Sequence, residues 1–442
     1  MKVVGLITEY NPFHNGHQYH INEAKRITGA DYVIAVMSGN FVQRGTPAII
    51  DKYSRAEMAL RHGIDLVLEL PVCYATGSAE YFAHGAVAIL DKIGVVNYLC
   101  FGSEVGDIHL LTKAAQFLTD TPAAYDERLQ SFLKDGLTFP AARLKALLHT
   151  LEEMEGSDGQ ALAKLLTEPN NILGIEYIKA LIRLSSSIEP VTIQRISAHY
   201  HDKELSGSNT LNDNLSLMNI TACQTDDMII SSATAIRRAI QSKVDPNSIH
   251  FTELKDSVPD DVYRLLVKQH LKTYPITEED FAQIIKYKLM SENKQSLTDY
   301  VDITEDLADR LLKIPDFNLS ISDLCQYIKT KNYTLTRINR ALIHLLLNLK
   351  NEAFEEYNQH GYSSYARVLG VKKEATHLLR RMEDLGKIPV ITKVSKAKGQ
   401  LDSLGMSMLS EDIFAAHLYN RIVYDKYTTA IPNEYKHGLI IL

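Results

Sequence analysis

The 442-residue chain contains no tryptophan, and its four cysteines, Cys73, Cys100, Cys223 and Cys325, lack the paired spacing of a metal knuckle or redox motif. Scattered cysteines of this kind read as buried thiols of a reducing compartment and exclude a disulfide framework. Long apolar runs are missing too. The most hydrophobic stretches, Ala86–Leu90 and Ala341–Leu347, fall far short of the ~20 residues that a membrane-spanning helix needs. The first twelve residues carry no basic region followed by an apolar run and a small-residue cleavage site. There is no low-complexity tract and no repeat. The expectation is a cytoplasmic protein with no membrane association, no resident metal and no obligate protein partner.

The remaining composition is that of a soluble globular protein, 45% hydrophobic and 23% charged. At 442 residues a single core is outgrown, so more than one domain is expected. The net charge of -7 is unevenly spread. Residues 326–400 hold 14 Lys+Arg against 6 Asp+Glu, a local +8 that leaves -15 on the remainder. Such a segment is either a solvated helical surface or a nucleic-acid contact.

The first hundred residues alternate strand and helix. Val3–Thr8, Tyr32–Met37, Leu66–Leu70 and Asn97–Phe101 are short apolar runs. Between them lie helical stretches Asn15–Thr28, Lys52–His62 and Ala79–Ile93, each closed by a glycine (Gly29, Gly63, Gly94). This order predicts an α/β fold with a parallel sheet and right-handed crossovers. Ligands on such sheets sit at the carboxyl ends of strands, so the loops after Thr8, Met37, Leu70 and Phe101 should face the site. Residues 107–182 read as mostly helical, and Val191–Ser197 as a further strand. Tyr200–Asp227 is polar and reads as a mobile loop of the kind that closes over α/β sites. Beyond Ser231 the chain reads as helical, with Pro389–Lys393 strand-like. Breakers at Asp245-Pro246-Asn247 and Pro259-Asp260 suggest a boundary there, dividing residues 1–250 from 251–442.

The sharpest feature is the loop between the first strand and first helix, Thr8-Glu9-Tyr10-Asn11-Pro12-Phe13-His14-Asn15-Gly16-His17. His14 and His17 are three apart at a helix start and can face one side. Gly16 permits close approach of a ligand, and the helix N-terminus offers N–H groups and positive potential to phosphate. Two imidazoles there can donate to charge developing on phosphorus in an in-line displacement. In isolation such a tetrapeptide is more often a capped helix with a satisfied surface histidine. Its position in the first βα turn favours a nucleotide site. A zinc reading lacks a third ligand. The second signature is Ile230 to Arg238. There Ser231 or Ser232 can cap a helix, and Thr234 and Arg237 share a face from which Arg237 can hold phosphate. Asn40, Gln43 and Arg44 follow the second strand. They offer donors and acceptors to a ligand in the same crevice, or simply form a structured turn around Gly39 and Gly45. Lys52 and Arg55 read as half-solvated positive charges.

At HxGH and the Ser/Thr–Arg element the chain resembles the HxGH nucleotidylyltransferase superfamily over roughly residues 1–245, which implies a Rossmann-like fold and nucleotidyl transfer. Further runs extend the likeness to nearly the whole chain: Met37-Ser38-Gly39-Asn40-Phe41-Val42-Gln43-Arg44-Gly45, Leu68-Glu69-Leu70-Pro71, Phe101-Gly102-Ser103-Glu104 and Pro169 to Tyr177. With these the chain resembles the bacterial tRNA(Met) cytidine acetate ligases. That resemblance implies a Rossmann-like catalytic domain over 1–250 and a mainly helical, basic tRNA-binding region over 251–442. It implies ATP-dependent formation of acetyl-AMP from acetate, then acetylation of N4 of the wobble cytidine in elongator tRNA(Met). His14 and His17 would be catalytic, and Asn40, Gln43 and Arg44 could meet the acetyl group or the cytosine edge. By motif position ATP would contact Ile7, Thr8, Glu9, Tyr10, Asn11, Pro12, Phe13, His14, Asn15, Gly16, His17, Gln18, Tyr19 and His20. Gly102, Asn170, Arg195, Ser232, Thr234 and Arg237 would complete its site, with Mg²⁺ accompanying ATP as the default expectation. In the basic region, Arg337, Arg340, Arg367, Lys372 and Lys373 lie among Tyr333, Tyr362 and Tyr365. That interleaving suits an RNA stem and splayed bases. Competing readings are an adenylyltransferase acting on a small metabolite and a nucleotide-dependent RNA-binding module.

Overall fold

The computed structural model describes residues 1–120, 123–137, 139–155, 165–195, 231–241, 252 and 254–442. The Tyr200–Asp227 segment read as a closing loop therefore lies outside the described residues, as do residues 245–251 and 253 of the boundary at 245–260.

The chain opens β1 (Val3–Thr8), α1 (Asn15–Thr28), β2 (Tyr32–Ser38), then a hairpin of β3 (Phe41–Val42) and β4 (Thr46–Pro47). It continues α2 (Lys52–Arg61), β5 (Leu66–Leu70), a helix Ala79–Lys92, β6 (Tyr98–Ser103), several helices ending with Pro169–Arg183, and β7 (Glu189–Gln194). β1 pairs in parallel with β2 and with β6. β2 continues to β5 on one side and β6 to β7 on the other, all parallel. The chain thus steps outward from β1 in one direction, then crosses back to begin the other half. The carboxyl ends of β1 and β6 flank that reversal, where a crevice opens.

Alternation along the strands explains the two cores. Val3, Ile34, Val36, Leu66, Leu68 and Leu99 pack on one face under the helix Ala79–Lys92. Val4, Leu6, Val33, Ala35, Met37 and Val67 pack on the other under α1 and α2. α1 ends as expected, with Gly29 left-handed at φ 60 and its N–H on the Lys25 carbonyl.

The region after Ser231 is mainly helical, but not wholly. A segment read as helical and basic contributes β8 (Ala366–Val371), followed by β9 (Val390–Ile391) and, at the chain end, β10 (Ile440–Ile441). β8 lies antiparallel on β5 and carries β9 and β10 in parallel, giving one eight-stranded sheet. All six β8 residues are buried. The division at 250/251 therefore does not bound the sheet: three of its strands come from beyond it. A long helix, Ser403–Tyr427, and the helix Leu335–Leu347 pack beside the β3–β4 hairpin. Among the described residues no helix is long and apolar enough to cross a membrane.

Candidate active site at the carboxyl ends of the strands

His14 is the N-cap of α1. Its Nδ1 accepts from the Gly16 N–H at 3.1 Å, while its own N–H donates to Nδ1 of His17 at 3.2 Å. The two rings stack at 3.6 Å between centroids. This reciprocal capping box has a chemical consequence. With each Nδ1 accepting a backbone proton, the neutral ring carries its hydrogen on Nε2, so both histidines offer Nε2–H. Burial and the charges of Arg195 and Arg237 push the His14 pKa down to about 3. His17 falls well below its usual value through burial, His14, His20 and Arg195, and burial with Arg195 takes His20 to about 4. The pair is neutral and donor-only toward the crevice.

The same geometry corrects one expectation. The backbone N–H groups that open α1 are not held out for phosphate. Asn15 donates to the Ser257 carbonyl, Gly16 to the His14 ring, and His17 and Gln18 to the His14 carbonyl.

Other loop residues hold these two. Tyr10 sits at φ 48, a left-handed conformation that a non-glycine residue adopts only when its surroundings impose it. It and Phe13 pack on His17, at 4.9 and 5.5 Å between centroids. Asn11 Oδ1 accepts from the Ile49 N–H, and Glu9 Oε1 from the Gln43 N–H at 2.9 Å. Asn15 Nδ2 reaches the Asp256 carbonyl. Gln18 bonds His62 and Asn22, facing away from the imidazole pair. Ile7 and Thr8 end β1, Pro12 is buried in the loop, and Tyr19 packs half-buried against the core under α1.

The second signature meets the first as expected. Ser232 Oγ caps the helix Ala233–Gln241 by accepting from Ala235, and Ser231 Oγ bonds Ser257 Oγ at 2.8 Å. Arg237 donates to the Asn11 carbonyl at 2.9 Å and to Thr234 Oγ1 at 3.2 Å, which fixes the guanidinium against the HxGH loop. Arg44 and Glu278 lie close enough for their charges to act on it.

Across the crevice, Gly102 faces Arg195, whose Cγ a β-carbon would meet at 3.1 Å. Glu104 caps the helix Pro169–Arg183: its oxygens accept from the Asn170 N–H and Nδ2 and from the Asn171 N–H, while Asn171 Oδ1 accepts from Glu104 and Val105. Asn170 thus stands beside Gly102, held by Glu104.

Two readings need correction. Lys52 and Arg55 are not half-solvated: their side chains are 1% and 0% exposed. Arg55 donates to the carbonyls of Ile50, Glu9, Ser38 and Gly39, bolting the loop after β1 to the loop after β2. Arg367, taken for an RNA contact, is buried against Glu69 and Glu434. Lys372 and Lys373 follow Val371, which pairs with Leu66 at the start of β5, so they lie at the far end of the sheet from HxGH. Of the other two, Arg340 bridges Asp302 at 2.8 Å, and Arg337 lies over Tyr333, itself buried. Their helix backs directly onto the β3–β4 hairpin. Gly45, at φ 72, lies so close to the Arg340 backbone that a β-carbon would come within 2.2 Å of its nitrogen. Asn40 is buried and accepts the Lys52 N–H, Gln43 is half-buried, and Arg44 is exposed.

A mostly parallel sheet with two imidazoles and an arginine at its switch point defines a HIGH-type nucleotidyltransferase, and the profile of the HIGH Nucleotidyl Transferase family matches residues 1–214 and 217–434. More narrowly, the chain belongs to the tRNA(Met) cytidine acetate ligase family. It is 40% identical to such a ligase from Thermoanaerobacter sp. (strain X514) over 100% of both chains, and 36% identical to one from Acetivibrio thermocellus, again over 100% of both. Its structure superposes on Thermotoga maritima TmcAL bound with alpha-thio ATP at a TM-score of 0.86, and on apo TmcAL at 0.88. Each is 32% identical over 100% of both chains.

Proposed function

We propose that the chain condenses acetate with ATP to acetyl-AMP and pyrophosphate, then transfers the acetyl group to N4 of the wobble cytidine of elongator tRNA(Met). The observation that carries this is the neutral, Nε2–H-presenting His14–His17 pair beside Arg237, in a chain that matches its ligase relatives from end to end. Acetate is ionised at neutral pH and needs no general base. One of its oxygens bonds to the α-phosphorus as the bond to pyrophosphate breaks. His14 and His17 donate to the phosphoryl oxygens as charge develops, and Arg237 stabilises the departing phosphates. ATP lies along Ile7–His20, with Gly102, Asn170 and Arg195 toward its nucleoside end and Ser232, Thr234 and Arg237 toward its phosphates. Mg²⁺ accompanies the nucleotide, as is usual for ATP.

The cytosine amine is a poor nucleophile because its lone pair is delocalised into the ring. It attacks the acetyl carbonyl of the mixed anhydride, the C–N bond forms, AMP leaves and one proton is released. Positioning supplies most of the acceleration. Asn40, Gln43 and Arg44 line the acetate and cytidine side, and the helix of Arg337 and Arg340, which backs onto their hairpin, guides the RNA. The catalytic region is residues 1–250 and the RNA-holding region 251–442, anchored into the common sheet by β8.

The test is incubation with ATP, labelled acetate and unmodified bulk tRNA, followed by nucleoside mass spectrometry. N4-acetylcytidine that depends on ATP and on His17 supports the reading. Acyl-AMP without labelled tRNA would move the acceptor to a small metabolite. Absence of ATP turnover would leave an RNA-binding module.

A further inference from the structure

A buried ion cluster lies beneath the loop after β2, and one of its members comes from the far end of the chain. Lys52 Nζ contacts Glu69 at 2.7 Å and Glu434 at 2.8 Å. Arg367 joins the same two carboxylates, and Tyr53 Oη lies 3.2 Å from Glu434. All four charged side chains are at most 4% exposed, two positive and two negative. The Tyr53 ring stacks on His437 at 3.3 Å between centroids, which pins the chain end in place.

The cluster touches the loop at two points. The backbone N–H of Lys52 donates to Asn40 Oδ1 at 2.8 Å. Glu69 Oε1 sits so close under Gly39 that a β-carbon there would approach to 2.5 Å. Lys52 is therefore gripped at its ammonium by the carboxylates while its main chain grips Asn40. Taking away one carboxylate leaves two cations facing a single anion at a site where each charged side chain is at most 4% exposed, and buried charge that loses its partner forces rearrangement. The parts free to rearrange are Lys52 and the loop resting on it.

We infer that Glu434 is a positioning residue for the loop of Asn40, Gln43 and Arg44, acting through Lys52 and Glu69 without touching substrate. This rests on the reading of that loop as the acetate and cytidine side of the site. It also assigns a role to Glu69 in the Leu68-Glu69-Leu70-Pro71 run, which the reaction itself does not use.

The absence of tryptophan makes the test direct. Phe41→Trp places a single emitter in the loop, packed between Phe281 and Tyr419, at 5.6 and 6.3 Å in the parent. In that background, Glu434→Gln should shift the emission maximum. It should also raise the KM for acetate at least fivefold in ATP–pyrophosphate exchange, while the Kd for ATP by equilibrium dialysis stays within twofold. Glu434→Asp, which keeps the charge, should restore most of both, and it replaces Glu434→Gln as the probe if that variant does not fold, with a smaller shift in the same direction. Unchanged emission in a folded variant, or equal loss of ATP and acetate affinity, overturns the inference. Gln43→Ala tests the loop reading separately. If it leaves acetate and tRNA parameters unchanged, the loop is not the acetate side, and the positioning claim is then decided by the emission alone.

Discussion

The two hydrogen-bonding ends of His14 have separate jobs, and substitutions can separate them. Nδ1 caps α1 by accepting from Gly16, which leaves the ring proton on Nε2 as the donor for a ligand. Asparagine places an acceptor oxygen near the Nδ1 position and is itself a favoured N-cap, but has nothing at Nε2. His14→Asn should therefore keep the stability of the parent, while His14→Ala should lose about 1 kcal/mol with the cap. Both should lose the donor to the developing phosphoryl charge. Removing one preorganised donor of this kind costs about 10²–10³ in rate, or about 3–4 kcal/mol of barrier. Acetate-dependent ATP–pyrophosphate exchange measures the rate and urea unfolding the stability. tRNA binding should be largely spared, and His17→Ala should behave alike. If His14→Asn exchanged within threefold of the parent, Nε2–H would have no role in the displacement. If it unfolded as readily as His14→Ala, the capping geometry would be wrong.

Because burial and neighbouring arginines hold His14 and His20 neutral down to about 3 and 4, the unfolded chain binds more protons than the folded one below about 6.5. Stability from these groups is present above that pH and is lost as pH falls toward those values, and His14→Asn, which removes one of them, should lessen that loss; a parent-to-variant difference in urea midpoint that stayed constant between pH 6.5 and 5 would contradict it. The opposite sign holds at Glu411, pushed up to about 8 by burial and by Asp412. There the folded state favours the proton, so stability falls as pH rises from about 4.5 to about 8, and Glu411→Gln should flatten that decline. Arg55→Met strips four carbonyls of their buried donor and should cost about 3–5 kcal/mol, read by urea unfolding. A cost under 1 kcal/mol would mean that the two loops hold without the bolt. Arg337→Glu with Arg340→Glu should weaken tRNA binding in filter assays and leave exchange intact; loss of both activities would indicate that the Asp302 bridge is structural.

Local order in the sequence determined the α/β frame. Apolar runs of strand length, helices closed by glycine at 29, 63 and 94, and HxGH at the first βα turn are short-range features, legible without a fold. So was the pairing of HxGH with the Ser232–Arg237 element, because each carries its own capping and spacing signal. What the tertiary structure alone decided was which charges are buried and which strands meet. Ala366–Val371 is a short apolar run whose partner, β5, lies about three hundred residues earlier, and no local pattern fixes such a pairing. A lysine or arginine in sequence reads as solvated. Lys52, Arg55 and Arg367 are buried because Glu69, Glu434 and a ring of loop carbonyls, drawn from both ends of the chain, replace the water they give up.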